Sequence, residues 1–301
     1  MNKKVLIVSL CAILGISGST FVFANLNTKE QKLMEALDLT KTTTMDQSYI
    51  KLDAKNIDEG KYIKIANQYL TDFKLTNNKL DNSKKITVSI YQNNLETLQE
   101  IVISNSDMIV KLNGETGELL SYINQKTSFA KNTLSKDSVK EKALDLFENF
   151  AKLEDYELIS LEEFDDEIYL AKFCKKYGEY YNPGELISFS FAPQTSEIVT
   201  FSSKKIPFAK NEIKLSTDDA RTIAKKYLEK SVATEMTISL DIVMPNYGLN
   251  DALLDGRLYK HANQTRLAYV CSFNNEAQTK IYIDCTTGEA IGTSRLLGGE
   301  F

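Results

Sequence analysis

Residues 267–294 constrain the fold of this chain more than any other stretch, because they predict three short β-strands separated by two turns. The second turn, residues 284–289, contains Asp284 and Thr287, whose side chains can accept hydrogen bonds from nearby backbone N–H groups. Gly288 can adopt a positive φ without steric cost, as the exit from a short hairpin often requires. These turn residues are therefore predicted to be structural rather than chemical.

Two earlier segments repeat this layout. Residues 110–120 contain Thr116 and Gly117 at the corresponding turn, and residues 189–199 form a degenerate copy with Ser196 in place of the glycine. Each segment consists of an apolar strand, a polar turn, a glutamate and then two small or apolar residues. The recurrence predicts that one structural unit is used three times.

A helical pattern of apolar residues precedes each copy. The first helix is expected to start near Asp58, the second at Ser138 with Glu141 completing a capping box, and the third at Ser216. A helix followed by a small sheet, three times over, predicts an α+β fold. Each unit is expected to be one helix packed on an antiparallel sheet of about four strands.

The helix DDARTIAKKYLEK followed by KIYIDCTTGEAIG resembles the PepSY domain and the related YcdB/YcdC repeat of bacterial envelope proteins. On this resemblance, residues 58–127, 135–207 and 214–301 are three PepSY-like units, of which the second is degenerate and the third matches best. The resemblance implies an exported, non-catalytic module. PepSY domains occur in propeptides of thermolysin-like metallopeptidases and in envelope regulators, including proteins that partner spore-cortex hydrolases. The family offers no catalytic residues to transfer to this chain.

The N-terminus has the composition of a signal peptide. Lys3 and Lys4 precede an apolar run at residues 5–16, and the sequence Val-Phe-Ala at residues 22–24 places small residues at the positions that signal peptidase reads. Residues 1–24 are predicted to be removed and residues 25–57 to form a leader or linker. The predicted location is secreted or in the extracytoplasmic cell envelope. The alternative is an uncleaved membrane anchor, because residues 5–24 carry no charge.

The charge of the chain argues against nucleic acid as a partner. Lys and Arg number 36 and Asp and Glu number 41, for a formal net charge of −5. Removal of residues 1–24 takes away two lysines and no acids, which makes the net charge −7. An acidic chain with scattered charges lacks the basic patch that nucleic-acid binding requires.

The residues that usually carry catalysis are scarce in this sequence. The single histidine, His261, stands in a loop, and no zinc-ligand, nucleophile-elbow, phosphate-binding or dinucleotide motif is present. Cys174, Cys271 and Cys285 remain after the signal peptide, and an odd number leaves at least one unpaired. The simplest hairpin register places Cys271 and Cys285 on opposite faces, which disfavours a bridge. No enzyme activity, metal or cofactor is predicted.

Two loops are predicted to contact a protein partner, because exposed tyrosines are favoured at interfaces and long loops often carry function. Residues 175–184 contribute Tyr177, Tyr180 and Tyr181, and residues 244–264 contribute Tyr247, Arg257 and Tyr259. The alternative is that Tyr177 and Tyr181 cover the sheet.

The function predicted from these features is protein binding outside the cytoplasm. The chain would modulate an envelope peptidase or peptidoglycan hydrolase by inhibiting, chaperoning or stabilising it. The alternative is a structural envelope or spore-assembly component without an enzyme partner.

Overall fold

The computed structural model describes residues 49–52, 57–81, 83–93, 99–125, 129–165, 167–227, 235–245, 264–274 and 279–294. The predicted signal peptide, His261 and the loop residues Tyr247, Arg257 and Tyr259 lie outside these ranges. Among the described helices, none is long and apolar enough to span a membrane.

The described elements follow one order, in which strand β1 comes first and each helix is then followed by four strands. The helices are α1 (Glu59–Asp72), α2 (Lys136–Phe147) and α3 (Thr217–Lys225). The strands are β1 (Tyr49–Leu52), β2 (Thr87–Asn93), β3 (Gln99–Ser104), β4 (Met108–Asn113), β5 (Leu119–Asn124), β6 (Tyr156–Asp165), β7 (Ile168–Tyr177), β8 (Tyr180–Ala192), β9 (Glu197–Lys205), β10 (Met236–Val243), β11 (Arg266–Phe273), β12 (Lys280–Asp284) and β13 (Ala290–Ser294). The coarse prediction of an α+β fold is confirmed.

Each helix begins at a capping side chain that satisfies a backbone N–H of the first turn. Asp58 caps α1, and Ser216 caps α3 in a complete capping box with Asp219, as the sequence indicated. The cap of α2 is Ser135, whose hydroxyl accepts from the backbone N–H of Ser138 at 3.2 Å. The predicted start at Ser138 was therefore wrong by three residues, because two serines at this spacing offer the same local signal.

Nine of the strands form one antiparallel-paired sheet in the order β1-β2-β3-β4-β5-β9-β8-β7-β6. Strands β5 and β9 are antiparallel neighbours, with Ser121 opposite Ser202 and Ile123 opposite Thr200. This differs from the prediction of a separate four-stranded sheet after each of the first two helices. Pairing between β5 and β9 removes two exposed sheet edges and lets two small sheets share one core.

The contacts within the chain define two compact units. Unit 1 contains the described residues up to Phe173 together with Ile187–Ser203, and unit 2 contains Cys174–Leu186 and the described residues from Lys204 onward. The division into three PepSY-like units stays a prediction.

The core of unit 1 lies between helices α1 and α2 and one face of the large sheet. Ala66 and Leu70 of α1 and Ala143 and Phe147 of α2 are buried in it. The Phe147 ring stacks on that of Phe173 with centroids 4.0 Å apart. Truncation of such a buried phenylalanine to alanine typically costs about 3–5 kcal/mol, so this stack is a main support of the unit.

Unit 2 contains the antiparallel sheet β10-β11-β12-β13. Helix α3 buries Ala220 and Ala224 in a cluster that also includes Cys271, Cys285 and Ile281. Cys271 lies opposite Ile281 in the β11–β12 register, so Cys271 and Cys285 face the same core. The predicted register, which placed the two cysteines on opposite faces, was wrong by one residue. Both thiols are nevertheless free.

Candidate partner-contact surface

The tyrosine-rich segment at residues 175–184, which was predicted to contact a partner, lies at the end of the β7–β8 hairpin. Gly178 and Glu179 make the two-residue turn between the strands, and Gly178 has a φ of 64°. A Cβ atom placed on Gly178 would meet no atom within 4 Å. The positive φ of Gly178 lets the chain reverse direction in two residues, and no side chain packs against the tip of the turn at this position.

A hydrogen-bonded carboxylate holds this hairpin end in place. Glu185 Oε2 accepts from the Tyr177 hydroxyl at 2.6 Å and from Asn182 Nδ2 at 2.7 Å. The Lys175 ammonium lies 3.4 Å from Glu185 Oε1. Because hydrogen bonds to an ionised acceptor are stronger than neutral ones, these contacts fix the positions of both strand ends.

Asn182 ties the hairpin to the segment that follows β9. Its side chain is fully buried, donates to the Ile206 carbonyl at 3.3 Å and accepts from the Gly184 backbone N–H at 2.9 Å. A Cβ on Gly184 would lie 2.5 Å from the Ile206 carbonyl oxygen, so only glycine allows this approach of the two backbones.

Two of the three predicted tyrosines are half-buried against the core rather than fully exposed. Tyr177 and Tyr180 are partly buried against the cluster beneath α3, and the Tyr177 ring lies 5.2 Å from that of Phe208. The hydrogen bond between Tyr180 and the Glu179 carboxylate raises the pKa of the tyrosine hydroxyl. These two side chains therefore support the hairpin end.

Tyr181 is the exposed member, with 36% of its surface accessible. The Lys176 ammonium lies 5.3 Å from the centroid of its ring. A cation–π contact at an exposed position contributes about 0.5–1 kcal/mol, enough to favour one orientation of the ring. We call Tyr181 and Lys176 the hairpin surface. It presents a flat aromatic face and a positive charge on a fixed support.

The hairpin end also includes Asn182, Glu185 and Lys210, which the sequence analysis did not single out as contact residues. Lys210 lies 5.9 Å from the Tyr177 ring centroid although it is far from the tyrosines in the chain. The Asn-Pro-Gly sequence at residues 182–184 was the available signal, since a strand containing Pro and Gly marks a close backbone approach.

The predicted turn residues all lie in turns of the same geometry. Asn113 Oδ1 accepts from the backbone N–H groups of Glu115 and Thr116 at 2.9 and 3.0 Å. Asp284 Oδ1 accepts in the same way from Thr286 and Thr287 at 2.8 and 2.9 Å. Gly117 and Gly288 have φ angles of 74° and 75°. These residues therefore shape the two hairpin turns.

The degenerate copy keeps this geometry without glycine. Ser196 has a φ of 58°, and its backbone N–H donates to the Ala192 carbonyl at 2.8 Å. The position therefore demands a left-handed backbone whether or not glycine is available.

Each of these turns contacts the helix that precedes it at the seventh residue after the helix cap. A Cβ on Gly117 would lie 3.4 Å from Ile65, and one on Gly288 would lie 3.2 Å from Ile223. At the Ser196 turn, the Lys142 ammonium donates a hydrogen bond to the Ser196 hydroxyl at 3.0 Å. The next residue of each helix is a buried alanine, namely Ala66, Ala143 and Ala224.

A buried ion pair distinguishes the last turn. Arg266 Nε donates to Asp284 Oδ2, and the Asp284 side chain is fully buried. Burial alone would raise the pKa of Asp284, but the Arg266 guanidinium and the N–H groups of Thr286 and Thr287 outweigh burial and hold this pKa below its usual value. The carboxylate is therefore ionised and fully occupied as an acceptor.

The cysteines have the properties of inert core residues. Burial raises the pKa of both Cys174 and Cys271 to about 11, and the Cys174 thiol donates to the Asn182 carbonyl at 3.0 Å. A thiol with such a pKa is almost wholly protonated near neutral pH and is a poor nucleophile or metal ligand. Within the ranges that the structure describes, no three His, Cys, Asp or Glu side chains gather as a metal site would require.

Among the comparisons with known proteins, only the comparison with solved structures gives a match. No protein-family model matches the chain, and a search of curated proteins finds no match. Among solved structures, the chain is similar to the Bacillus megaterium YpeB C-terminal domain, with 14% sequence identity and a TM-score of 0.42. The similarity covers 80% of this chain and 99% of that domain. At this level of similarity, no functional conclusion follows from the match.

Proposed function

We propose that this chain is an exported, non-catalytic binding protein that modulates an envelope peptidase or peptidoglycan hydrolase by direct contact. The observation that best supports protein contact is the hairpin surface, where Tyr181 is exposed on a support fixed by Asn182 and Glu185. A tyrosine held in one orientation loses little entropy on binding and offers both apolar area and a hydroxyl.

The proposed location outside the cytoplasm and the proposed class of partner rest on the sequence. The basic and apolar N-terminal segment favours export, and the resemblance to PepSY domains favours a peptidase or a cell-wall hydrolase as the partner. The equivalent helix–turn contacts at Ile65, Lys142 and Ile223 support the proposal that the three PepSY-like units are copies of one ancestral unit.

A crosslinking experiment tests this function. Residues 25–301 carrying a photo-crosslinking amino acid in place of Tyr181 would be incubated with an envelope extract of the source organism, and captured proteins identified by mass spectrometry. We expect stoichiometric capture of a peptidase or cell-wall hydrolase. The activity of that enzyme with and without this chain then gives the sign of regulation.

Ile213 provides the matched control, because it is also exposed, at 54%, and also belongs to unit 2. Placing the photo-crosslinking amino acid at position 213 instead of position 181 should give no capture of the enzyme. Recovery of only self-contacts or structural layer proteins would replace the regulator with the structural component. Loss of an intrinsic hydrolytic activity on substitution of His261 or the cysteines would instead identify an enzyme.

A further inference from the structure

Strand β10 is a regular strand at the edge of the small sheet. It stands first in the order β10-β11-β12-β13, so one of its main-chain edges has no neighbouring strand among the described residues. All of its residues, Met236–Val243, pair with β11 in one continuous register. Natural edge strands are commonly shortened, bulged or interrupted by Pro or Lys, and β10 shows none of these features.

The hydrogen bonds of β11 show which backbone groups of β10 face the free edge. The Asn274 N–H donates to the Glu235 carbonyl at 3.2 Å. The preceding Phe273 N–H donates instead to the Thr279 carbonyl, on the β12 side. Because the hydrogen-bonding side alternates along antiparallel strands, every second residue from Glu235 faces β11. The residues that direct their N–H and C=O groups away from β11 are Met236, Ile238, Leu240 and Ile242.

The first and last of these four residues have partners within the chain. The Met236 carbonyl accepts from Arg221 Nη1 at 3.5 Å, and the Ile242 N–H donates to Asp241 Oδ1 at 2.8 Å. The outward backbone groups of the two residues between them have no hydrogen-bond partner in the part of unit 2 that the structure describes. The centre of the edge is therefore open to another strand.

The side chains of β10 differ between its two faces. The face toward α3 carries apolar residues that are only half-buried at this edge, namely Met236, Ile238 and Leu240. The other face carries exposed polar residues, namely Thr237, Ser239 and Asp241. An added strand would therefore need apolar side chains on the α3 face and hydrogen-bonding side chains on the other. β10 itself has this pattern.

We propose that the free edge of β10 pairs with the same edge of a second copy of this chain, antiparallel about a two-fold axis at Ser239. In this register the outward N–H and C=O groups of Ile238 meet those of Leu240 of the second copy, and the axis repeats the contact. The paired sheets would form one continuous sheet. This interface goes beyond the proposed function and does not depend on it.

The polar face of β10 is complementary to itself in this register. Ser239 lies opposite Ser239 of the second copy, and the two hydroxyls can share a hydrogen bond. Thr237 lies opposite Asp241, whose carboxylate can accept from the threonine hydroxyl and release the Ile242 N–H for pairing. The two Asp241 carboxylates stand four residues apart along the strands, about 13 Å, so no like charges face each other.

The apolar face is complementary as well. Ile238 lies opposite Leu240, and Met236 lies opposite Ile242, so each copy covers the half-buried apolar row of the other. Pairing thus removes both apolar surface and unpaired backbone groups from water.

Lysine variants test the position of the axis. For residues 25–301, analytical ultracentrifugation should show a reversible dimer. Ser239→Lys places two ammonium groups opposite each other and should raise the dimer dissociation constant by about tenfold or more. Thr237→Lys adds the same charge on the same exposed face but meets Asp241, and should leave the dimer intact. Equal weakening by the two variants, or a monomer at every concentration, would overturn the proposal.

Cysteine variants give a second measurement that does not depend on added charge. Diamide oxidation of Ser239→Cys should give a disulfide-linked dimer on a non-reducing gel, because non-hydrogen-bonded pairs approach most closely. Thr237→Cys should not, since its two copies would lie about 13 Å apart, beyond the reach of a disulfide. The native cysteines in the described part of the chain are buried and are present in both variants. Crosslinking at position 237 but not at 239 would contradict the register.

Hydrogen exchange followed by NMR locates the interface. The amides of Ile238 and Leu240 should exchange more slowly as the dimer forms, whereas the Ser239 amide faces β11 in either state and should change least. A dimer that forms without slowing the two outward amides would overturn the proposal. Slowing that requires addition of an envelope extract would assign the edge to another protein and would also overturn it.

Discussion

The Asn113 turn of the large sheet and the Asp284 turn of the small sheet have the same backbone hydrogen bonds but differ in the charge of the first residue. In each, one side-chain oxygen accepts from two successive N–H groups, and a glycine with positive φ closes the turn. Asn113 is only partly buried, whereas Asp284 is fully buried beside Arg266. The turn with Ala192 in the first position shows that the backbone geometry does not require a side-chain acceptor. The comparison therefore teaches that the acceptor adds stability to the turn, and that its charge matters where a partner such as Arg266 is buried beside it.

The largest predicted difference comes from removing the acceptors. Asp284→Ala leaves Arg266 buried without its carboxylate, which should lower the free energy of unfolding by about 3–5 kcal/mol. Asn113→Ala loses only local hydrogen bonds and should cost about 0.5–2 kcal/mol, as for a helix cap. Urea unfolding followed by circular dichroism measures both. Equal losses would show that the ion pair adds nothing to the turn.

The Gly288 turn should be more sensitive to an added methyl group than the tip of the β7–β8 hairpin. Gly288→Ala combines a φ of 75° with contacts of 3.2 Å to Ile223 and Leu215, and should cost about 2–3 kcal/mol. Gly178→Ala has a φ of 64° and open space around the new carbon, and should cost about 1–2 kcal/mol from backbone strain alone. The same unfolding experiment compares them, and a Gly178→Ala loss at least as large as that of Gly288→Ala would contradict the role of crowding.

The two turns should also differ in their response to acid. Because the pKa of Asp284 is lowered in the folded protein, its stabilising contribution is present above the ordinary carboxyl range and is lost as the pH falls through the folded-state pKa. Protonation below about pH 4 should therefore weaken the Asp284 turn and leave the neutral Asn113 turn unaffected.

Comparing the pH dependence of unfolding of the unaltered chain with that of Asp284→Asn isolates the contribution of Asp284. The free energy of unfolding of the unaltered chain should fall more steeply from pH 5 to pH 2 than that of Asp284→Asn. Other carboxylates titrate in both proteins and cancel. Parallel curves would mean that Asp284 titrates alike in the folded and unfolded states.

The smallest predicted effect concerns the degenerate turn. Ser196→Gly removes the backbone strain of a φ of 58°. It also loses the hydrogen bond from Lys142 and increases the conformational entropy of the unfolded chain, and both of these effects are destabilising. The net result should be a stabilisation of about 0.5 kcal/mol. Lys142→Met in the same background separates the lost hydrogen bond from the backbone term, and a destabilisation by Ser196→Gly alone would show that this hydrogen bond outweighs the strain.

The sequence by itself determined the local parts of this protein. The cap at Ser216 and the turns that close at Gly117 and Gly288 were all predicted, because caps and turns depend on side chains within a few residues. Residues 175–184 were predicted to form a loop, whereas strands β7 and β8 extend through them and leave only Gly178 and Glu179 in the turn. Their contact with a partner stays a prediction.

Only the tertiary structure decided how these parts join. Strands β5 and β9 are distant in sequence but pair in the sheet. The local sequence pattern of each strand is also compatible with an unpaired edge, so it does not specify this pairing. A one-residue change of register brought Cys271 and Cys285 to the same face. Packing against the small sheet half-buries Tyr177 and Tyr180 and leaves Tyr181 accessible. Short-range patterns fix backbone conformation, whereas exposure and strand partners depend on distant residues that no local pattern contains.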